Sequence, residues 1–124
     1  MTARCRCRRP MTSYARGNAF ERRVKHALER DGYWCWQTRG SKSPADLIAI
    51  KAGQILLIQV KGGATKMSGT DWNTLAHLCR ELRATPLVAD RDGRRIRYRR
   101  ITGLHVAHSR RWPAEVWTPD QLVA

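Results

Sequence analysis

The sequence predicts an α/β fold: a mixed central sheet with helices on its faces. Two patterns carry that reading. Apolar residues recur at three- and four-residue steps in two stretches, as one face of a helix requires, and short β-prone runs stand between and after them. The resulting order is α-β-β-β-α-β-β. At 124 residues and 42% hydrophobic content, the chain has material for one domain and one core.

Residues 1–13 carry Arg4, Arg6, Arg8 and Arg9 around Pro10 without periodicity, which predicts a flexible basic arm ahead of a single domain, 14–124. From Gly17 to Asp31 a helix is expected, with Phe20, Val24, Ala27 and Leu28 as its stripe and Gly32 as its stop. Glu21 lies on that apolar stripe. A buried carboxylate without a partner is costly, so Glu21 calls for one; a surface pair with Lys25 is the plainer alternative. Tyr33–Thr38 is aromatic and β-prone, and Arg39–Ala45 is a Gly/Ser/Pro loop with two cations. Asp46–Lys51 and Ile55–Lys61 form a hairpin about the Ala52–Gly53 turn. The second of these strands is apolar nearly throughout, as a central strand covered on both faces should be.

Gly62–Thr70 is a Gly-rich basic loop. Asp71–Ala84 is a second helix, lined by Trp72, Leu75, Leu78, Cys79 and Leu82, with Asp71 capping or beginning it. Pro86–Ala89 is a strand, Asp90–Gly93 a turn, and Arg94–Ile101 an alternating strand with Ile96 and Tyr98 opposite Arg95, Arg97 and Arg99. Residues 104–117 give no pattern. Thr118–Pro119 resembles a cap and N1 proline before a last short helix.

Twenty-four Lys and Arg against ten Asp and Glu leave a formal charge of +14. Self-repulsion of that size makes a neutral-substrate enzyme or a passive scaffold a poor reading and points to a polyanion. Nineteen of the cations are Arg, whose fork matches phosphate oxygens. No amphipathic basic helix suits a membrane surface, so nucleic acid is the expected polyanion. No run approaches ~18 apolar residues and the N-terminus lacks an apolar signal core, so no membrane span is expected and the location expected is cytoplasmic. Cys5 and Cys7 form CxC rather than CxxC, which argues against zinc. Cys35 and Cys79 read as small buried hydrophobes, and His105 and His108 as surface or core residues.

The chemistry-bearing group is Asp46, Gln59 and Lys61, with Glu21 upstream. Residues i and i+2 of a strand share a face, so Gln59 and Lys61 do. In the antiparallel hairpin, the start of one strand meets the end of the other, which brings Asp46 beside them. Glu21 reaches the same place if its helix packs on this sheet. Taken singly, Asp46 is also a turn residue and Lys61 an edge charge; it is their convergence from three elements that points to a site. Carboxylate and amide oxygens are hard ligands, suited to Mg²⁺ or, in its place, Mn²⁺. A cation there and a lysine beside it suit phosphodiester hydrolysis.

Pro44-Ala45-Asp46 followed by Gln59-Val60-Lys61 resembles the motif of the PD-(D/E)xK nuclease superfamily. The longer series Arg16-Gly17-Asn18-Ala19-Phe20-Glu21-Arg22, Gly32-Tyr33, Arg39-Gly40-Ser41-Lys42, Asp46-Leu47-Ile48-Ala49 and Val60-Lys61 resembles the archaeal-type Holliday junction resolvases (Hjc) and their viral relatives, over about residues 14–101. The resemblance implies a restriction-endonuclease-like fold, acting as a homodimer on branched double-stranded DNA with a divalent metal and no small-molecule cofactor. It implies Glu21, Asp46 and Gln59 as metal ligands, Lys61 as the catalytic lysine and Ser41 beside the scissile phosphate. Family members usually carry Glu where this chain has Gln59, so one negative charge is missing. Arg16, Arg22, Arg39, Lys42 and Lys66 flank these positions and are expected to contact phosphates. The five tryptophans (Trp34, Trp36, Trp72, Trp112 and Trp117) are expected mainly to pack the core, with Trp112 and Trp117 as the candidates for the interface. A flap- or repair-type nuclease of the same superfamily, or a DNA-binding relative without activity, would share these features.

Overall fold

The computed structural model describes residues 13–38, 43–62 and 66–120. Its elements are α1 (Ser13–Arg30), β1 (Trp34–Gln37), β2 (Leu47–Lys51), β3 (Gln54–Lys61), α2 (Gly69–Leu82), β4 (Thr85–Asp92), β5 (Arg95–Ile101) and β6 (Ala114–Trp117). The six strands form one sheet in chain order. Every neighbouring pair is antiparallel except β3 and β4. That pair is parallel because α2 carries the chain back to the same end of the sheet.

The apolar stripe of α1 packs on one sheet face. Phe20, Val24 and Leu28 are buried against Leu47, Ala49, Leu56 and Ile58. Each such side chain contributes about 1.5–3 kcal/mol on burial. The helix stops where expected. Gly32 takes φ +94°, and the N–H groups of Gly32 and Tyr33 donate to the carbonyls of Glu29 and Leu28. A left-handed residue closes the last turn in this way. On the other face, α2 buries Trp72, Leu75 and Cys79 against Leu57, Val88 and Ile101. Alternation along β3 therefore sends Leu56, Ile58 and Val60 to α1 and Leu57, Gln59 and Lys61 to the α2 face.

Several boundaries differ from the expected ones. The cap of α2 is Ser68, whose side chain accepts from the Asp71 N–H at 3.1 Å, so the helix begins two residues before Asp71. Asp90 belongs to β4 rather than to a turn, because β4 pairs with β5 as far as Asp92 and Arg95. The sixth strand arises in a stretch too short to show alternation; it forms by pairing with β5, Tyr98 opposite Trp117. After Thr118, residues 119–120 form a turn and the rest of the expected last helix lies outside the described residues. Residues 1–12 of the basic arm also lie outside them, and Ser13 is already helical. Cys35 and Cys79 are buried free thiols, as expected.

One contact ties α1 to the end of β3. A Cβ at Gly62 would stand 2.7 Å from the Phe20 ring, so only glycine lets the strand end pass under the helix. Phe20 is fully buried and has no room to withdraw. Gly62→Ala is expected to destabilise the fold by about 1–3 kcal/mol, as overpacking does; equilibrium denaturation of the two proteins checks it.

Candidate active site at the end of the central strands

The hairpin register runs as far as Leu47 opposite Ile58, and Asp46 stands one residue before Leu47, where the ladder ends. The backbone holds it there. The Asp46 N–H donates to the Ile58 carbonyl at 2.8 Å, and the Asp46 carbonyl accepts from the Thr38 N–H at 2.9 Å. The Ala45 carbonyl accepts from the hydroxyls of Thr38 (2.6 Å) and Ser43 (2.8 Å). With its main chain fixed, the Asp46 carboxylate turns to β3 and accepts from the Val60 N–H at 2.8 Å.

Electrostatics bring three elements together at this point. Glu21 is half-buried on α1, and its carboxyl is pushed up to about 7, first by burial and then by the charge of Asp46. Asp46 is also raised by burial, against the opposing pull of the Val60 N–H and the Lys61 ammonium. Each influence acts at short range, so Glu21, Asp46 and Lys61 occupy one neighbourhood. Lys25 instead pairs with Glu29 at 3.3 Å, which removes the plainer partner for Glu21.

These residues suit a divalent cation. Burial and a like charge both hold Glu21 back from ionising, and a cation between the two carboxylates would relieve the repulsion. The two carboxylates offer oxygen donors of the kind that magnesium and manganese take, and a Gln amide oxygen is of the same hard class. Among the described residues no three His, Cys, Asp or Glu gather to hold a metal, and Gln59 lies on the α2 face of β3, opposite to the face on which the Glu21 helix packs.

The remaining expected residues fall as follows. Arg39, Ser41 and Lys42 lie outside the described residues. Arg16 belongs to the N-terminal end of α1. Arg22 is exposed, in a groove with Arg23, His26 and Glu29. Lys66 is exposed and shares a pocket with Lys61. The same pocket carries Asp90, Arg97 and Arg99, which the sequence reading passed over. The alternation Arg95, Arg97, Arg99 was the signal available for them. One interface candidate needs correction: Trp117 is 2% exposed, in the core against Tyr33 and Tyr98. Trp112 is half-buried between Trp72 and His105. The exposed tryptophans are Trp34 (73%) and Trp36 (50%), stacked on edge strand β1. His105 stacks on Trp112 at 3.6 Å, with its Nε2 3.0 Å from the Ser109 carbonyl, a packing role.

Because Glu21 has a raised pKa in the fold, the folded chain holds its proton more tightly than the unfolded one. That contribution to stability is full below about 4.5 and is lost as pH rises through about 7. Without divalent ions, Glu21→Gln is expected to melt above the parent at pH 8 and level with it near pH 4. With Mg²⁺ added at pH 8, the parent gains stability and the variant gains less. Melting curves across pH, with and without the ion, check both.

A sequence model of the archaeal Holliday junction resolvase family (Hjc) matches residues 12–113. A stretch of 48 residues is 40% identical to the crossover junction endodeoxyribonuclease Hjc of Methanocaldococcus jannaschii, covering 39% of this chain and 35% of that protein. The match thus spans about a third of that relative's length. Among solved structures, the Archaeoglobus fulgidus Hjc, a Holliday junction resolvase from an archaeal hyperthermophile, superposes with a TM-score of 0.57 at 25% identity, over 64% of this chain and 72% of that one. A family match across most of the chain, joined to the same fold, establishes membership: the chain belongs to the archaeal Holliday junction resolvase family.

Proposed function

We propose that the protein is a metal-dependent, structure-specific endodeoxyribonuclease that resolves four-way DNA junctions by paired phosphodiester hydrolysis. The supporting observation is the meeting of Glu21, Asp46 and Lys61 at the end of β3, in a +14 chain of this family. Glu21, Asp46 and Gln59 would hold the cation, Mg²⁺ or Mn²⁺. When bound, it supplies Lewis acidity toward phosphate and water. The chain's own residues do the rest. Asp46, pinned by Val60, presents a carboxylate in fixed orientation. Glu21, raised to about 7 in the metal-free fold, would give up its proton as the cation binds, so metal binding should tighten as pH rises. The Lys61 ammonium would offset negative charge as water's oxygen bonds to phosphorus and the strand's P–O bond breaks, the water's proton passing to solvent and the leaving oxygen taking one up from it. Ser41 is assigned to the scissile phosphate, and Arg16, Arg22, Arg39, Lys42 and Lys66 to neighbouring phosphates. Such contacts position a backbone without reading sequence, which suits recognition of branched shape.

Gln59 favours one other reading, a DNA-binding relative with diminished activity, since it brings one less charge to the cation. A four-way junction, a flap and a plain duplex, each with and without Mg²⁺, separate the readings. Paired symmetric nicks on the junction alone are expected. Flap cutting would move the assignment within the superfamily, and binding without nicks would favour the relative. Asp46→Asn is expected to lower cleavage at least 10²–10³-fold, the scale of lost transition-state stabilisation, with junction binding intact. Gln59→Glu should retain or raise cleavage. An Asp46→Asn protein that cuts at the parent rate would show the site to be misassigned.

A compact 124-residue chain has a radius of gyration of about 14 Å. We propose that it works as a homodimer, because two-fold pairing supplies two sites related as the two scissile phosphates are. Trp34, Trp36, Ile50 and Ile55 are exposed on β1, β2 and β3 at the open side of the sheet, an apolar surface of the kind that self-association buries. Sedimentation at micromolar concentration is expected to give a dimer, and Trp34→Lys with Trp36→Lys a monomer. A parent protein that sediments as a monomer would refute the pairing.

A further inference from the structure

On the sheet face that carries Gln59 and Lys61, a pocket of about 380 Å³ opens. Its walls bear five cations, Lys61, Lys66, Arg91, Arg97 and Arg99, against one carboxylate, Asp90. Trp72 and Trp112, edge to face with centroids 5.1 Å apart, form an aromatic side. Such a wall excludes water and strengthens the charge interactions beside it.

Strand register builds the polar half. Asp90 on β4 stands between Lys61 on β3 and Arg97 on β5. Arg97 donates from Nε to Oδ1 and from Nη2 to Oδ2, both at 2.8 Å. Arg99, two residues on and so on the same face, donates from Nη2 to Oδ2 at 3.3 Å. One carboxylate thus aligns two guanidiniums and offsets the charge of one. The Nε of Arg99 is buried with no hydrogen-bond partner among the described residues. A buried donor without an acceptor is costly in any fold, and here it sits among surplus positive charge. An occupant with several anionic oxygens would satisfy both.

We propose that this pocket is a second phosphate subsite, taking a phosphate of the DNA strand beside the scissile one, with Arg97 and Arg99 as its donors. The guanidinium fork matches phosphate oxygens bidentately. Lys61 lines the pocket and also acts on Asp46, so the two positions adjoin, as neighbouring phosphates on one strand do. Asp90 sets the forks side by side before DNA arrives, which lowers the ordering cost of binding. The subsite rests on the nuclease reading and deepens it: it would fix which bond lies over Asp46.

The same oxygens could belong to a continuous strand or to the terminal 5′-phosphate of a nicked one. Binding in EDTA, where no cleavage occurs, tests both. Junctions carrying one neutral methylphosphonate at each phosphate flanking the cut are compared, intact and nicked with a 5′-phosphate, for the parent, for Arg97→Gln/Arg99→Gln and for Arg99→Lys. The double variant is expected to bind about tenfold more weakly and to lower the log Kd against log salt slope by about 0.9 per lost contact. At one flanking position, the methylphosphonate penalty seen with the parent should vanish in the double variant. Arg99→Lys keeps the charge and loses the Nε donor, so it should lose part of that penalty even if the double variant folds poorly. Coupling on the intact junction assigns a continuous strand, and on the nicked one alone a terminal phosphate; either supports the subsite. Additive effects at every position overturn it while leaving the nuclease reading in place. A parent protein that binds no junction overturns both.

Discussion

The hydrogen bond from the Val60 N–H to the Asp46 carboxylate is the contact on which the rest of the site depends. At Asp46 the chain leaves the β2–β3 ladder, and a main-chain donor on β3 would lose its cross-strand acceptor. The side chain takes over that place. A buried N–H is thereby satisfied, and a carboxylate that burial would neutralise receives a donor that favours its charged form. One bond thus ends a hairpin and fixes the Asp46 carboxylate. The flanking bonds from Thr38 and Ser43 to the Ala45 carbonyl keep the approach to Asp46 from drifting.

Glu21 comes from elsewhere. Its helix lies on the face of Leu56 and Ile58, whereas Gln59 and Lys61 point to the face of α2. The acid reaches the strand ends because Phe20 seats against the backbone at Gly62 and carries the next residue with it. The position of Glu21 and the packing of the core are therefore one contact apart.

Much of this was legible in the residues. Period-two and period-3.6 patterns located both helices and five strands, and a carboxylate on the apolar stripe of α1 announced that Glu21 faces something polar. Strand alternation alone places Gln59 and Lys61 on one face. What escaped had physical causes. β6 is four residues long and owes its strand form to β5 rather than to its own alternation. Asp90 is a common turn residue next to a glycine turn, and only the register with Arg97 reveals it as a strand position. The tryptophans misled because side-chain size predicts burial on average, while Trp34 and Trp36 sit on an edge strand whose outer face no helix covers.

The route by which Glu21 arrives makes the carboxylate pair depend on docking of α1. A chain from which α1 has come undocked would retain its +14 charge, Asp46 and Lys61. It has only one of its two acids. The paired carboxylates are thus a property of tertiary order, which a partly melted copy would lack while keeping its charge.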